Sequence, residues 1–151
     1  MRVFKLLSII EILIITLIFA TAQVNAEGDV SKVKIFYGKS EIYSFEDMNS
    51  AVKIIKETFR KWDGCELHSI RYTDDDYSNS PENIKWMNEL AKSRGYKPNF
   101  TQCITFFSSF HSPTDPKDNK TSFNTNEEYS NWSWYLARTE GGDWKLITFG
   151  Y

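Results

Sequence analysis

The sequence predicts a single α+β domain in which two amphipathic helices pack on a curved antiparallel sheet. Two observations support this: apolar residues recur at helical spacing in two segments and alternate at strand spacing in the last third of the chain. The chain has 151 residues, too few for two ordinary domains. Aromatic residues make up 16% of it, which excludes a disordered chain.

The first helix is predicted to begin at Ser44, because a serine followed by Glu46 and Asp47 is a typical N-cap with acidic residues in the first turn. Apolar residues then recur at spacings of three and four, namely Met48, Val52, Ile55, Phe59 and Trp62. The stripe predicts a helix that packs on a sheet and ends at Asp63-Gly64.

A second, shorter helix is predicted to begin at Ser80 with Pro81 in its first turn. It is more polar than the first helix, which favours a position on the surface. Between the two helices, residues 65–73 are strand-like but do not alternate cleanly, so a bulge is expected.

Four further segments are predicted to be strands. Residues 101–111 are apolar on both faces, which is typical of a central strand with a layer on each side. Residues 131–139 and 144–151 alternate around a Gly-Gly turn, so they form a hairpin. Residues 33–37 are a possible edge strand. The order of elements favours helices on one face of the sheet.

The end of the chain resembles the closing strands of the NTF2-like, cystatin-like superfamily. The residues that carry the resemblance are Trp132-Ser133-Trp134-Tyr135-Leu136-Ala137-Arg138, the Gly-Gly turn, Trp144-Lys145-Leu146-Ile147 and Phe149-Gly150-Tyr151. Small secreted or lipoprotein-type domains of Gram-positive bacteria are similar. The resemblance implies that residues 44–151 form a cone, with a long N-terminal helix packed on a strongly bent sheet around a pocket. It implies no single activity, because this fold hosts both enzymes and non-catalytic modules.

Residues 1–26 are predicted to be a signal peptide. Arg2 and Lys5 precede an apolar stretch, and Val24-Asn25-Ala26 fits a cleavage site. The alternative is an uncleaved anchor, but Glu11 in the apolar stretch argues against a stable one. Cleavage would leave residues 27–43 as a tether and possible edge strand ahead of the domain. We therefore expect a secreted or extracytoplasmic protein that touches a membrane only if the segment stays uncleaved.

The predicted export of the protein affects the interpretation of its two cysteines. Cys65 and Cys103 are the only pair, and an even count in an oxidising compartment favours a disulfide. The alternative is two separate buried thiols.

The sequence offers few candidates for catalytic residues. The resemblance places candidates inside the cone: His68 and Tyr72, four residues apart and so on one face of a regular strand, and His111 on the central strand. Tyr135 and Arg138 on the hairpin could also point inward, and Trp132 and Trp134 would suit ligand stacking if they were not core residues.

No metal or cofactor is expected, because no motif for either is present. The run Asp74-Asp75-Asp76 is interpreted as a loop whose side chains cap turns, with a calcium loop as the alternative. Without residues 1–26 the formal net charge changes only from −2 to −3, so nucleic acid is not an expected partner.

The sequence therefore favours a non-catalytic module at the cell surface that binds a small apolar ligand, a peptide or a partner protein. A secreted immunity or inhibitor protein is a variant of this class. The alternative is an isomerase, dehydratase or hydrolase that uses a His/Tyr pair in the cone. The oligomeric state is open, a dimer included.

Overall fold

A computed structural model describes residues 27–151, and the predicted signal peptide lies outside this range. The elements in chain order are β1 (Lys34–Phe36), α1 (Phe45–Phe59), β2 (Glu66–Tyr72), α2 (Asp75–Ser78), α3 (Pro81–Ser93), β3 (Gln102–His111), β4 (Glu128–Arg138) and β5 (Lys145–Gly150). The predicted α+β class is confirmed. Among the described residues, no helix combines the length and the apolar character needed to cross a membrane.

The five strands form one sheet in sequence order, with β1 and β5 at its two edges, and the sheet does not close into a barrel. β1 runs parallel to β2, and the other neighbours are antiparallel. The prediction of an antiparallel sheet is therefore wrong at this edge. A parallel pair needs a crossover connection, and here the segment that contains α1 supplies it.

Helix α1 begins where the sequence predicts. The Ser44 hydroxyl accepts a hydrogen bond from the Asp47 amide, and the Asp47 carboxylate accepts one from the Ser44 amide, both at 3.1 Å. This reciprocal cap satisfies two backbone donors that the helix leaves free. The helix ends at Phe59, earlier than predicted, and the Trp62 amide donates to the Phe59 carbonyl in a turn (2.9 Å). Trp62 therefore belongs to the turn after the helix.

The helices cover opposite faces of the sheet, and the prediction that both lie on one face is wrong. Helix α1 packs on the face that carries Phe106 and Trp134. Met87 of α3 packs with Cys103 and Ala137. These two residues lie an odd number of positions from Phe106 and Trp134 along their strands, and side chains alternate between faces. The predicted layer on each side of β3 is present.

The predicted tether, residues 27–43, is docked on the domain at its very start. The Asp29 amide donates to the Cys65 carbonyl, and the Asp29 carbonyl accepts from the Leu67 amide, both at 2.8 Å. A Cβ atom on Gly28 would lie 2.3 Å from the Phe59 carbonyl oxygen, a distance that no side chain tolerates. Only glycine fits here, so the chain is fixed to the domain two residues after Ala26.

The predicted disulfide is not formed: Cys65 and Cys103 are both free and buried. The strand register gives the reason. Cys65 immediately precedes Glu66, which pairs with His111 at the far end of β3 from Cys103. Eight residues of strand separate His111 from Cys103, roughly 26 Å at the usual rise. A disulfide requires Cα atoms within about 7 Å, so this fold excludes the pairing.

We predict that the protein, when unfolded without a reductant, carries two reactive thiols per chain. In the folded protein burial raises the pKa of Cys65 to about 11 and that of Cys103 to about 12, so neither thiol should react near neutral pH. Titration with Ellman's reagent, with and without guanidinium and without a reductant, measures both states. Cys103→Ala is the control and should leave one thiol. If the protein unfolded without a reductant shows no titratable thiol, that result would contradict the β2–β3 register that separates the two cysteines.

Candidate functional site

The face of the sheet beneath α1 is filled by aromatic side chains. Phe59, Phe106, Phe110 and Trp134 have no exposed surface. Trp62 stacks on Trp134 with ring centroids 5.2 Å apart, and the indole N–H of Trp134 donates to the Ser108 hydroxyl at 2.8 Å. This is the face on which a cone would hold its ligand. Its central residues are used for packing.

The two tryptophans proposed as ligand contacts lie in this packing. Trp132 is partly buried and contacts the rings of Trp62, Phe123 and Phe110 at centroid distances of 5.9, 5.5 and 5.6 Å. Its indole N–H is buried without a hydrogen-bond partner among the described residues. Trp134 is fully buried. A core role for both residues accounts for their position on one face of β4.

The candidate pair His68 and Tyr72 is not assembled. A bulge between Leu67 and Ser69 interrupts β2, so the four-residue spacing no longer puts the two side chains on one face. The His68 side chain is 45% exposed, and its Nδ1 lies 3.1 Å from Glu128 Oε1. Tyr72 is buried and donates its hydroxyl to Asp75 at 2.7 Å. Each residue therefore has its own partner at its own end of the strand.

Both histidines lie at the same end of the sheet, outside the packed face. His111 pairs in register with Glu66 on β2 and with Glu128 on β4. His68 lines a surface groove of about 500 Å³ together with Glu66. The sequence spacing did not reveal Glu128, which comes from a strand 60 residues away along the chain. The resulting His68 and Glu128 pair is open to solvent.

Tyr72 belongs instead to a hydrogen-bonded cluster around Asp75. The Asp75 carboxylate accepts from the Tyr72 hydroxyl (2.7 Å), the Ser40 hydroxyl (2.5 Å) and the Glu41 amide (2.7 Å). Burial disfavours the charged form, but these hydrogen bonds outweigh it and hold the pKa of Asp75 below its usual value. The cluster ties the loop before α1 to the end of β2.

The neighbouring acidic residues serve the local backbone. The Asp74 carboxylate accepts from the Tyr77 amide at 2.7 Å and caps the short helix α2. Asp74, Asp75 and Asp76 line an open groove of about 770 Å³ with Tyr37 and Tyr43. Over residues 27–151, no group of three or more His, Cys, Asp or Glu side chains is arranged to hold a metal ion.

Arg138, a candidate ligand contact, is buried and bonded to other parts of the domain. Its guanidinium pairs with the Asp47 carboxylate (2.5 Å), donates to the Gln102 side chain (2.7 Å) and lies 4.2 Å from the centroid of the Trp144 ring. The Arg138 hydrogen bond is the largest of the effects that lower the pKa of Asp47. Arg138, the last residue of β4, therefore links α1 to the start of β3 and to the turn before β5, and its contacts are structural.

Tyr135 lies on the opposite face of the sheet, next to α2 and α3. Its hydroxyl is 2.8 Å from that of Tyr77, and its ring meets Trp86 edge to face at 5.0 Å. Burial raises the pKa of Tyr135 to about 12, so it is a neutral hydrogen-bonding group near neutral pH. Tyr77 and Trp86 are both exposed. Together these rings form a solvent-facing aromatic surface.

An open cavity lies between the end of α3 and β5. Its volume is about 630 Å³, and its wall includes Ala91, Phe100 and Ile147. Ala91 and Ile147 are buried, so the cavity has an apolar floor. Its size falls in the range of pockets that bind small molecules. The sequence does not reveal this cavity, because its wall combines a helix, a loop and an edge strand that are distant along the chain.

No family model, curated protein or solved structure matches the chain.

We predict that Asp75→Asn destabilises the domain by about 1–3 kcal/mol near neutral pH, because an amide cannot accept all three hydrogen bonds of the carboxylate. The pKa of Asp75 is lowered in the folded state, so its contribution is present above the unfolded pKa of about 4 and is lost as the pH falls through the folded value. The difference in the free energy of unfolding between the variant and the parent should therefore become smaller at acidic pH. Urea unfolding at pH 7 and pH 3 measures it.

Asp76→Asn is the matched control. Asp76 is exposed and accepts no hydrogen bond within residues 27–151, so its substitution should change the free energy of unfolding by less than about 0.5 kcal/mol. Equal effects of the two substitutions would contradict the cluster around Asp75.

Proposed function

We propose that this protein is an exported, NTF2-like, non-catalytic module that binds a small ligand, a peptide or a partner protein outside the cytoplasmic membrane. The observation that carries the proposal is the filled face of the sheet. With Phe59, Phe106, Phe110 and Trp134 fully buried, the place where an enzyme of this fold type would hold its substrate is occupied by the protein's own side chains.

Two features support the family part of the proposal. An amphipathic helix, α1, packs on a sheet that ends in the β4–β5 hairpin. That hairpin carries the tryptophans Trp132, Trp134 and Trp144 on which the resemblance rests.

Export is supported by the order of charged, apolar and small residues in residues 1–26. Two buried thiols are compatible with export, because burial protects them from oxidants. Gly28 is docked closely on the domain, so cleavage after Ala26 would leave almost no free chain ahead of the domain.

A second candidate function is hydrolase- or isomerase-type catalysis at the exposed end of the sheet. It is favoured by the His68 and Glu128 pair, because a carboxylate that orients an imidazole is a common arrangement for a general base. Of this pair, only His68 lines the surface groove, and the hydroxyl of Tyr72 is bonded to Asp75 instead. An immunity or inhibitor role is the form of the binding proposal in which the ligand is a protein, and the exposed rings of Tyr77 and Trp86 would suit it.

The two functions are separated by a turnover screen on purified residues 27–151 with ester, enol and hydroxyacyl substrates. We expect no turnover above that of the His68→Ala variant, because His68 lies exposed in an open surface groove and is not enclosed in a substrate cavity. Glu128→Gln is the second variant, since it keeps the shape of the side chain and removes its charge. Turnover by the parent that both variants abolish would contradict the proposal and establish the His68 site as catalytic.

A further inference from the structure

The cavity between α3 and β5 is apolar inside and positively charged at its rim. Ala91, Phe100 and Ile147 contribute apolar surface, and the volume of about 630 Å³ equals that of roughly twenty water molecules. Phe100 and Ile147 belong to the same small hydrophobic cluster. The apolar wall is therefore anchored in the core and does not depend on mobile surface side chains.

Three cations line the cavity: Arg94, Lys97 and Lys145. Among the described residues, no aspartate or glutamate lines it. Within residues 27–151, none of the three cations lies within ion-pairing distance of a carboxylate. The positive charge of this site is opposite in sign to the formal net charge of residues 27–151, which is −3. Three uncompensated cations beside a concave apolar surface attract an anion more strongly than the surrounding surface does.

Arg94 is fixed in position over the cavity. It follows the last residue of α3, and its Nη1 donates to the Ile147 carbonyl on the edge strand β5. Within residues 27–151 the Arg94 side chain makes no other hydrogen bond, so its remaining guanidinium N–H groups can bind a ligand. Because the guanidinium is planar and rigid, it can bind a carboxylate or phosphate with two parallel hydrogen bonds.

We propose that this cavity binds a small molecule with an anionic head group and an apolar body. The head group lies against Arg94, Lys97 and Lys145, and the body lies on Ala91, Phe100 and Ile147. The inference rests on the proposed binding function and specifies the chemistry of the ligand. Neutral apolar molecules and cations lack the contact with the three cations and should bind more weakly.

The test compares three probes that share one ring system and differ in charge: 2-naphthoate, 2-naphthylmethanol and 2-naphthylmethylammonium. Each is titrated into residues 27–151 at low ionic strength, and amide shifts in ¹H–¹⁵N spectra report where it binds. We expect 2-naphthoate to bind at least tenfold more tightly than the neutral probe. Its shifts should centre on Ala91, Phe100 and Ile147, and its affinity should fall with added salt.

The double variant Lys97→Gln and Lys145→Gln removes two cations from the rim, where both side chains are exposed. It should weaken 2-naphthoate about tenfold and leave 2-naphthylmethanol unchanged. Its matched control, Lys53→Gln and Lys61→Gln, removes two exposed lysines from α1 and the turn after it and should change neither affinity.

Equal affinity of the anionic and neutral probes at the cavity would overturn the proposed ligand chemistry and leave the binding function standing. Shifts that centre elsewhere, or no saturable binding of any probe, would overturn the site itself. The turnover screen of the parent and its His68→Ala variant then decides separately whether the module is an enzyme.

Discussion

The packing of α1 against β3 and β4 is the interaction on which the rest of the structure depends. Phe59 meets Phe110 edge to face at 5.5 Å, and Trp62, just beyond the helix, stacks on Trp134. Fully burying one aromatic side chain stabilises a fold by about 1.5–3 kcal/mol, and edge-to-face pairs add to this. The sheet therefore gains its stability on the face where a ligand pocket could otherwise have formed.

Polar contacts at the ends of α1 complement this packing. At the start of the helix, Asp47 completes the cap of Ser44, pairs with Arg138 and accepts the Trp144 indole N–H at its carbonyl (3.0 Å). At the other end, the Gly28 amide donates to the Arg60 carbonyl (3.0 Å). Both ends of the helix are thus fixed to other parts of the domain. The concave surfaces that remain open lie outside the packed face.

The elements that could be predicted from the sequence are those with local causes. Ser44 and Ser80 start their helices because capping needs only neighbouring residues, and the alternation in β3 and β4 follows from the pleat. The parallel edge β1 and the separation of Cys65 from Cys103 depend on register between distant segments. No local pattern encodes that register, so the disulfide prediction failed.

The candidate site was less predictable than the fold for the same reason. A regular strand would have aligned His68 with Tyr72, and a single bulge changed the outcome. Asp75 was recognised as part of an acidic run, but its partner Ser40 lies 35 residues away. Arg138 was singled out as a ligand contact, but three contacts with other elements use its guanidinium for structure. The cations Arg94, Lys97 and Lys145 are unremarkable along the chain and become a group only when α3 meets β5.

Xenon binding tests most directly whether the face beneath α1 is filled, because xenon occupies apolar cavities that contain no water. Crystals of residues 27–151 under xenon pressure should show no xenon between α1 and the sheet. Crystals of the Phe106→Ala variant, in which a void replaces a fully buried ring, should show one bound atom there and serve as the positive control. Xenon bound among Phe59, Phe106 and Trp134 in the unsubstituted protein would contradict the account and restore the interior as a ligand site.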